Sequence, residues 1–420
     1  MSGVNKKTIL FAETVVALSM IAGSAHAGGF GLREQSSYYQ GMSFAGYGTT
    51  GGGISSMYWN PASLMGAEQG LTVEAHNSGL FPVSEIDGTL SGGLLGSSSI
   101  GSGDIASDAF IPASYAAYRL NDNLIFGVGI NAPFGLSTKP DMNWAAQFYS
   151  RSSSVFSVNV NPAIAYQFND MVTVAVGVQV QYLDVSLKSA DATSGAGFPR
   201  SNEISGDGVG FGVTAGVTVR PFEGTEIGVG YRSGVGHDLE GDLFASGTRS
   251  AIGLGVVTPD MVNVSARQRL TDKFRVLGTV EWTNWSRLKS PRATSDATGA
   301  TLTTLHFNYN DGWFFSLGGE YDFNEKLTLR AGLGYEISPI DEEIRSTRLP
   351  DNNRWWLSAG ASYNFNQHLS FDLGYTHIIP ESTKINIDPS HQDYNATFGT
   401  YEADVDSHVN IISASLRYKF

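Results

Sequence analysis

Residues 172–182 read Val-Thr-Val-Ala-Val-Gly-Val-Gln-Val-Gln-Tyr. Val172, Val174, Val176, Val178, Val180 and Tyr182 share one side; Thr173, Gly177, Gln179 and Gln181 share the other. Successive side chains of a strand point to opposite faces, so this segment is a ribbon with one oily and one polar side. Phe211, Val213, Ala215, Val217 and Val219 repeat the pattern against Gly212, Thr214, Gly216, Thr218 and Arg220. Leu327 to Glu336 and Trp355 to Phe365 do so again. Such ribbons run longer than the ~5–6 residues of a soluble strand and match the ~9–11 of a tilted membrane-crossing one. No run of ~18 apolar residues follows Gly28, so the sequence offers no membrane-spanning helix.

Tight polar connections count the ribbons. They are Asn121-Asp122-Asn123, Asn169-Asp170-Met171, Pro221 to Thr225, Thr271-Asp272-Lys273, Asn324-Glu325-Lys326 and Asn366-Gln367-His368. Six turns join twelve strands, and one strand at each end makes fourteen. Short turns at one end and long loops at the other are the pattern of an outer-membrane barrel. The fold class expected is all-β: a 14-stranded antiparallel transmembrane β-barrel. The long connections, near 83–110, 135–154, 189–206, 238–258, 289–310, 338–352 and 387–406, are expected outside the cell.

Five triplets set the orientation: Tyr118-Arg119-Leu120, Tyr166-Gln167-Phe168, Tyr321-Asp322-Phe323, Tyr363-Asn364-Phe365 and Tyr418-Lys419-Phe420. Each sits beside a short turn or at the chain end. Rings with a polar tip suit a membrane–water boundary, so this row reads as the periplasmic girdle. The terminal Phe420 resembles the C-terminal signal of bacterial barrels.

Composition agrees. The chain has 420 residues, 50 Gly, only 16% charged residues, no Cys and a formal net charge of −14. Absence of Cys excludes a disulfide scaffold, a thiolate metal site and an acylated lipoprotein anchor. The acidic balance excludes a nucleic-acid partner, whose phosphates demand a basic surface. Lys6 and Lys7, an apolar stretch and Ala25-His26-Ala27 form a secretory leader over 1–27. After it seven His remain (76, 237, 306, 368, 377, 391 and 408), none in a nucleophile or metal motif. No catalytic residue, metal or cofactor is assigned, and the chain is expected not to be an enzyme.

Residues 28–68 do not alternate. They hold three consecutive glycines, Gly51 to Gly53, and the run Tyr58-Trp59-Asn60-Pro61-Ala62. Fourteen strands enclose more space than side chains alone fill and less than an open porin. A compact segment inside the lumen accounts for both, and inward Gly212, Gly216, Gly332 and Gly360 would let it approach the wall. The organisation expected is a leader (1–27), a luminal plug (28–68) and a barrel (69–420).

The stretch "GGFGLREQSS…GMSFAG…MYWNPASLMG" resembles the N-terminal hatch of the FadL-type long-chain fatty acid transporters of Gram-negative outer membranes. "NAPFGLST" from Asn131, "YRSGVGHDLEGDL" from Tyr231, "EWTNWSRL" from Glu281 and "RLPDNNRWWLSAGASYNFN" from Arg348 extend the likeness over the whole mature chain. The resemblance implies passive uptake of long-chain fatty acids or similar hydrophobic small molecules through an apolar pocket. A hatch around Asn60, Pro61 and Ala62 would gate it, and exit would be sideways into the bilayer. Relatives that carry toluene-like aromatic hydrocarbons are the alternative, and a general porin is the rival reading. The modest charge read on the inner face speaks against the porin.

A buried carboxylate needs a cation or hydrogen bond. Arg292, in "PRATS", and Lys188 are candidate ligand-binding residues, although each also reads as a solvated loop charge. Asp184 departs from the family, where that strand can carry a basic residue. Asn131, Pro133 and Gly135 mark the end of the third strand. Pro133, which donates no ladder hydrogen bond, either opens the loop or kinks the strand into the lateral exit known from similar transporters. The partners expected are the hydrophobic ligand, outer-membrane lipid and lipopolysaccharide, with the chain a monomer. An adhesin or phage-receptor role can coexist in the loops.

Overall fold

The computed structural model describes residues 29–94, 96–194 and 200–420. The leader read at 1–27, and Gly28, lie outside the described residues. Fourteen strands form the wall. They are β1 Gly70–Gly92, β2 Ala109–Arg119, β3 Leu124–Asn131 resuming as Gly135–Thr138, β4 Ser152–Gln167, β5 Val172–Ala190, β6 Ser201–Phe222 and β7 Thr225–Arg232 resuming as Gly236–Ala245. Then follow β8 Thr248–Val257 resuming as Met261–Arg269, β9 Phe274–Thr283, β10 Gly312–Asp322, β11 Leu327–Ile337, β12 Arg354–Asn364, β13 Leu369–Pro380 resuming as Thr383–Ile387, and β14 Gly399–Lys419. Each strand pairs antiparallel with its chain neighbours. Closure comes from β1 on β14, in register from Thr72↔Lys419 to Gly92↔Gly399. A closed barrel leaves no unpaired sheet edge in lipid. Among the described residues no helix is long and apolar enough to cross a membrane.

The period-two reading holds at side-chain level. Val176, Val178 and Val180 of β5 are exposed on the outer face, while Ala175, Gln179 and Gln181 are buried inside. Tyr118, Leu120, Tyr166, Phe168, Tyr321, Phe323, Tyr363, Phe365 and Phe420 form an exposed ring at the short-turn end. The turns close on themselves. The side-chain oxygens of Asn121, Asn169, Asn324 and Asn366 each accept from the backbone N–H groups two and three residues on, all at 2.8–2.9 Å. Thr271 does the same with its hydroxyl. An Asx turn of this kind reverses the chain in few residues.

Strand runs well into three of the expected loops and fills most of the one at 238–258. β1 runs to Gly92, β7 and β8 meet at a hairpin near Ser246, and β14 begins at Gly399. Above the membrane the outer face no longer has to be oily, so the outward positions carry Asp87, Asp238, Glu240 and Glu402. The inward ones stay apolar and buried, as at Ile86, Leu90, Leu239 and Leu254. The ladder persists after the amphipathic signal has faded.

Candidate functional site

The described part of the N-terminal segment, residues 29–69, lies against the inward faces of the strands. It contains a single helical turn, α1, Ser37–Gln40, capped by Ser36, and two short 3-10 turns, Ser55–Tyr58 and Pro61–Gly66. Tyr39, Met42, Phe44, Tyr47, Met57, Trp59 and Leu64 are almost wholly buried. The ring of Trp59 stacks on that of Tyr47, with centroids 4.5 Å apart. Wall glycines admit this bulk. A Cβ on Gly360 would lie 2.6 Å from the Gly41 Cα, and one on Gly332 would lie 2.1 Å from the Met42 carbonyl oxygen. Gly216 abuts Asn60, but Gly212 faces Ser233, Val235 and Gln179 of the wall instead of the segment.

Asn60 joins three pieces of chain. Its Oδ1 accepts from Ala62 N at 3.0 Å, capping the turn that Pro61 opens. Its Nδ2 donates to Gly48 O at 2.6 Å and to Val217 O of β6 at 3.2 Å.

The inner face is far richer in charge than the alternation suggested, which corrects that expectation. Glu74, Glu226, Arg232, Glu281, Glu320, Arg330, Glu336, Arg354 and Asp372 are all buried. Many of them hold the N-terminal segment. Arg33 pairs with Glu281 at 2.8 Å and with Glu336 at 3.3 Å, under the ring of Phe314. Glu74 accepts from Ile54 N at 2.9 Å and Ser55 N at 3.0 Å and pairs with Arg417. Glu226 accepts from the Thr50 backbone and hydroxyl at 2.5 and 2.7 Å. Tyr38 donates to Glu320 and Tyr47 to Glu281. A buried ion is tolerated only with its lone pairs and protons matched, so these contacts specify one seating of the segment rather than supplying large net stability. Glu34 stands apart: it is buried, and its two oxygens meet no side-chain donor. Burial pushes its carboxyl up to about 7.

Beside this segment the wall is open. β2 and β3 pair from Arg119↔Ile125 only as far as Ser114↔Ile130. β3 then bulges through Ala132, Pro133 and Phe134 and resumes on β4 with one residue extra, Asn131↔Asn159 giving way to Gly135↔Phe156. The β2-facing edge of the resumed strand is taken by the N-terminal segment. Leu32 N donates to Pro133 O at 2.8 Å, Gly135 N to Phe30 O at 2.9 Å, and Gln35 Nε2 to Ala132 O at 2.7 Å. Pro133 has no N–H to leave orphaned there. Further up, the isolated bridge Ala106↔Thr138 closes the gap.

Above Phe30, at the long-loop end, lies a cavity of about 260 Å³. Its wall is apolar: Leu136, Val155, Leu183, Leu187, Leu254, Val256, Leu288, Tyr309 and Leu349, most of them one buried cluster. Phe30 forms its floor and packs edge-on against Trp285 and Phe134 beneath it, with centroids 4.8 Å apart for Phe30–Trp285 and 5.8 Å for Phe30–Phe134. Below that floor a smaller cavity of about 50 Å³ touches Leu32, Arg33, Trp59 and Pro133. A line therefore runs from the large cavity, through three rings, to the broken edge of β3.

Of the residues singled out from sequence, Asn131, Pro133 and Gly135 sit at this edge. Asn131 is buried and accepts from Asn159 Nδ2 at 3.1 Å. Asn60, Pro61 and Ala62 lie at the base of the N-terminal segment. Lys188 points outward and pairs with Glu203 at 3.2 Å, and Arg292 is exposed on a small hairpin, Arg292–Ser295 with Thr301–Thr304; neither lines the cavity. Asp184 also faces out, opposite Asp207 of β6. The cation at the cavity is Arg348, with His306 and Asp393 near it. These come from three different loops, and no sequence spacing links them.

Comparison with known proteins gives one answer. Residues 18–420 match the family model described as outer membrane protein transport protein (OMPP1/FadL/TodX). The chain is 27% identical over 409 residues to the long-chain fatty acid transport protein of Escherichia coli O6:H1, covering 88% of this chain and 91% of that one. It is 26% identical to outer membrane protein P1 of Haemophilus influenzae, covering 98% and 99%. Its fold is that of a Pseudomonas aeruginosa FadL homologue, with TM-score 0.83 at 19% identity over 94% of this chain and 100% of that one. The P. putida toluene transporter TodX shares it with TM-score 0.69 at 16% identity, over 92% and 98%.

Proposed function

This chain belongs to the OMPP1/FadL/TodX family of outer-membrane transport proteins, which are channels and not enzymes, and we propose that it takes up long-chain fatty acids or similar hydrophobic small molecules through the apolar cavity, past a hatch formed by residues 28–68, and out sideways at β3. A water-filled pore would leave an alkyl tail hydrated throughout. An apolar cavity offsets about 0.8 kcal/mol per methylene, so it concentrates the ligand from outside. Below the cavity the N-terminal segment packs against the wall, and the place where the wall's own ladder is interrupted beside it is the gap between β2 and β3.

The observation that carries this reading is the hydrogen bonding of Phe30 and Leu32 to Gly135 and Pro133. At the edge of β3 the segment is joined by two backbone hydrogen bonds and the Gln35 side chain, not by a continuous ladder, while Arg33 ties it to Glu281 and Glu336. Withdrawing it opens the gap while the wall's own ladder stays intact. Exit to the bilayer then needs no water-filled stage.

Because the chain has no Cys, a tether tests this directly. The Leu32 side chain already lies 2.9 Å from where a Gly135 Cβ would stand, so the pair Leu32→Cys and Gly135→Cys brings two thiols within bridging reach. Oxidised cells should lose most uptake of labelled oleate, and reductant should restore it. Uptake unaffected by a bridge proved by mass spectrometry would reject hatch withdrawal and sideways exit.

A further inference from the structure

The polar end of the large cavity is built from three loops. Arg348 comes from the loop before β12, His306 from the loop before β10, and Asp393 from the loop before β14. Arg348 is anchored through one nitrogen: Nη1 donates to Lys188 O at 3.0 Å, Ser152 O at 3.2 Å and Ser153 Oγ at 3.4 Å. Its Nη2 and Nε make no hydrogen bond among the described residues. One face of the guanidinium is thus fixed to the wall, and the rest of its donor fork is left for the cavity. Asp393 also lines the cavity, and its carboxylate accepts no hydrogen bond and has no cation within ion-pair distance among the described residues; its backbone N–H donates to His391 Nδ1 at 3.0 Å. The charged and titratable groups that face Asp393 are His391 from its own loop, Arg348, His306 and the phenols of Tyr149 and Tyr309.

Among the described residues the cavity is therefore lined by one permanent cation and one carboxylate, close enough to feel each other and too far apart to be paired. An uncharged amphiphile leaves that balance alone. An anionic head that takes the free fork of Arg348 places a second negative charge beside Asp393 in apolar surroundings. Two carboxylate-like charges in such a place do not both stay ionised.

On the reading that this cavity binds the transported ligand, we propose that Arg348 is the residue that receives an anionic head group and that Asp393 is its resident counter-charge, so that a permanently anionic amphiphile enters together with one proton from solvent, taken up on the Asp393 carboxylate, whereas an uncharged amphiphile enters without one. Burial already moves Asp393 toward this: its carboxyl is raised above the ordinary value by desolvation, with His391, Arg348 and His306 opposing. Burial likewise lowers the Arg348 guanidinium to about 10, with Asp393 opposing.

The test is calorimetric titration of the full chain in lipid nanodiscs, referenced to empty discs, with dodecanesulfonate and with dodecanol. The sulfonate stays ionised at every working pH, so any proton taken up is the protein's. Titrations in two buffers of different ionisation enthalpy count that proton. The expected results are uptake approaching one proton with sulfonate, none with dodecanol, and sulfonate affinity falling up to tenfold per pH unit above the Asp393 titration. Asp393→Asn should abolish the uptake, flatten the profile and tighten sulfonate binding. His306→Gln should leave the uptake in place. Arg348→Gln should weaken sulfonate at least tenfold and dodecanol less than twofold. Sulfonate bound without a proton, or uptake that survives in Asp393→Asn, overturns this proposal alone. If neither probe binds the wild-type chain, the cavity is not the ligand site and both readings fall.

Discussion

Two of the interruptions in the wall are mended differently. At β7 and β8 the strands part at Ser233–Val235 and Thr258–Asp260. The repair there is made by the wall itself. Val235 N donates to Thr258 Oγ1 at 2.9 Å and Thr258 N to Val235 O at 3.0 Å. Asp260 gathers the remainder: its Oδ1 accepts from Gly234 N at 2.9 Å and from the Tyr231 hydroxyl at 3.0 Å, its backbone oxygen accepts from Asn284 N at 2.8 Å, and its Oδ2 pairs with Arg287. At β3 the repair is made by Phe30, Leu32 and Gln35, which belong to the N-terminal segment. A break mended from within its own sheet is a structural joint. A break mended by a separate piece of chain can be unmended when that piece moves.

The largest effect expected from this contrast follows removal of the separate mender. Deleting most of residues 29–60 should leave an assembled barrel, because closure of β1 on β14 needs none of them. Single-channel conductance in planar bilayers should rise from near zero to that of an open pore. An unchanged conductance would show that something else fills the lumen.

A smaller effect sharpens the contrast itself. Asp260→Ala leaves the half-buried Gly234 N–H and the Tyr231 hydroxyl without their acceptor, at about 1 kcal/mol for each bond lost. It should lower the melting temperature of the barrel while oleate uptake per folded molecule stays near normal. Gln35→Ala removes only the bonds to Ala132 O and Leu32 O. It should barely move the melting temperature yet change uptake severalfold. If the two variants exchange these phenotypes, the assignment of joint and gate is reversed.

The smallest effect is set by pH. The Glu34 carboxyl is raised from its ordinary 4.5 to about 7 in the folded chain, chiefly by burial. The docked segment therefore holds a proton that a released one gives up. Its contribution to docking is complete below about 4.5 and is lost as pH rises through about 7. Hydrogen exchange at Phe30 to Gln35, corrected for the intrinsic rate, should show weaker protection at pH 8 than at pH 5. Glu34→Gln should flatten that difference, and a difference that persists would place the titrating group elsewhere.

How much of this was legible beforehand depends on range. The alternation of β5 and the Asn-led turns are written within a few neighbouring residues, and both appear in the structure where they were read. Pro133 was legible as an interruption, but its two readings could not be told apart, since the answer lies in what Leu32 does to its carbonyl. Arg348 was seen only as part of "RLPDNNRWW". Its neighbours at the cavity, His306 and Asp393, are 42 and 45 residues away in the chain. The buried charges were misjudged for a related reason. In a two-sided ribbon Glu281 or Arg330 looks like an ordinary polar face, and whether that face meets water or Arg33 and Tyr38 is not a local property.

The sequence by itself determined the barrel: strand number, which face meets lipid, where the short turns fall, and that the residues ahead of β1 belong to none of the strands. Those follow from backbone pleat and turn chemistry, whose interactions reach only a few residues and are therefore spelled out along the chain. The tertiary structure alone decided which strand break is sealed by the wall and which by the N-terminal segment, where the cavity lies, and which cation faces it. These depend on hydrogen bonds and burial between residues hundreds of positions apart, such as Gly29 with Asp351 and Gln40 with Thr376. Contacts of that reach exist only once the sheet has curled and closed.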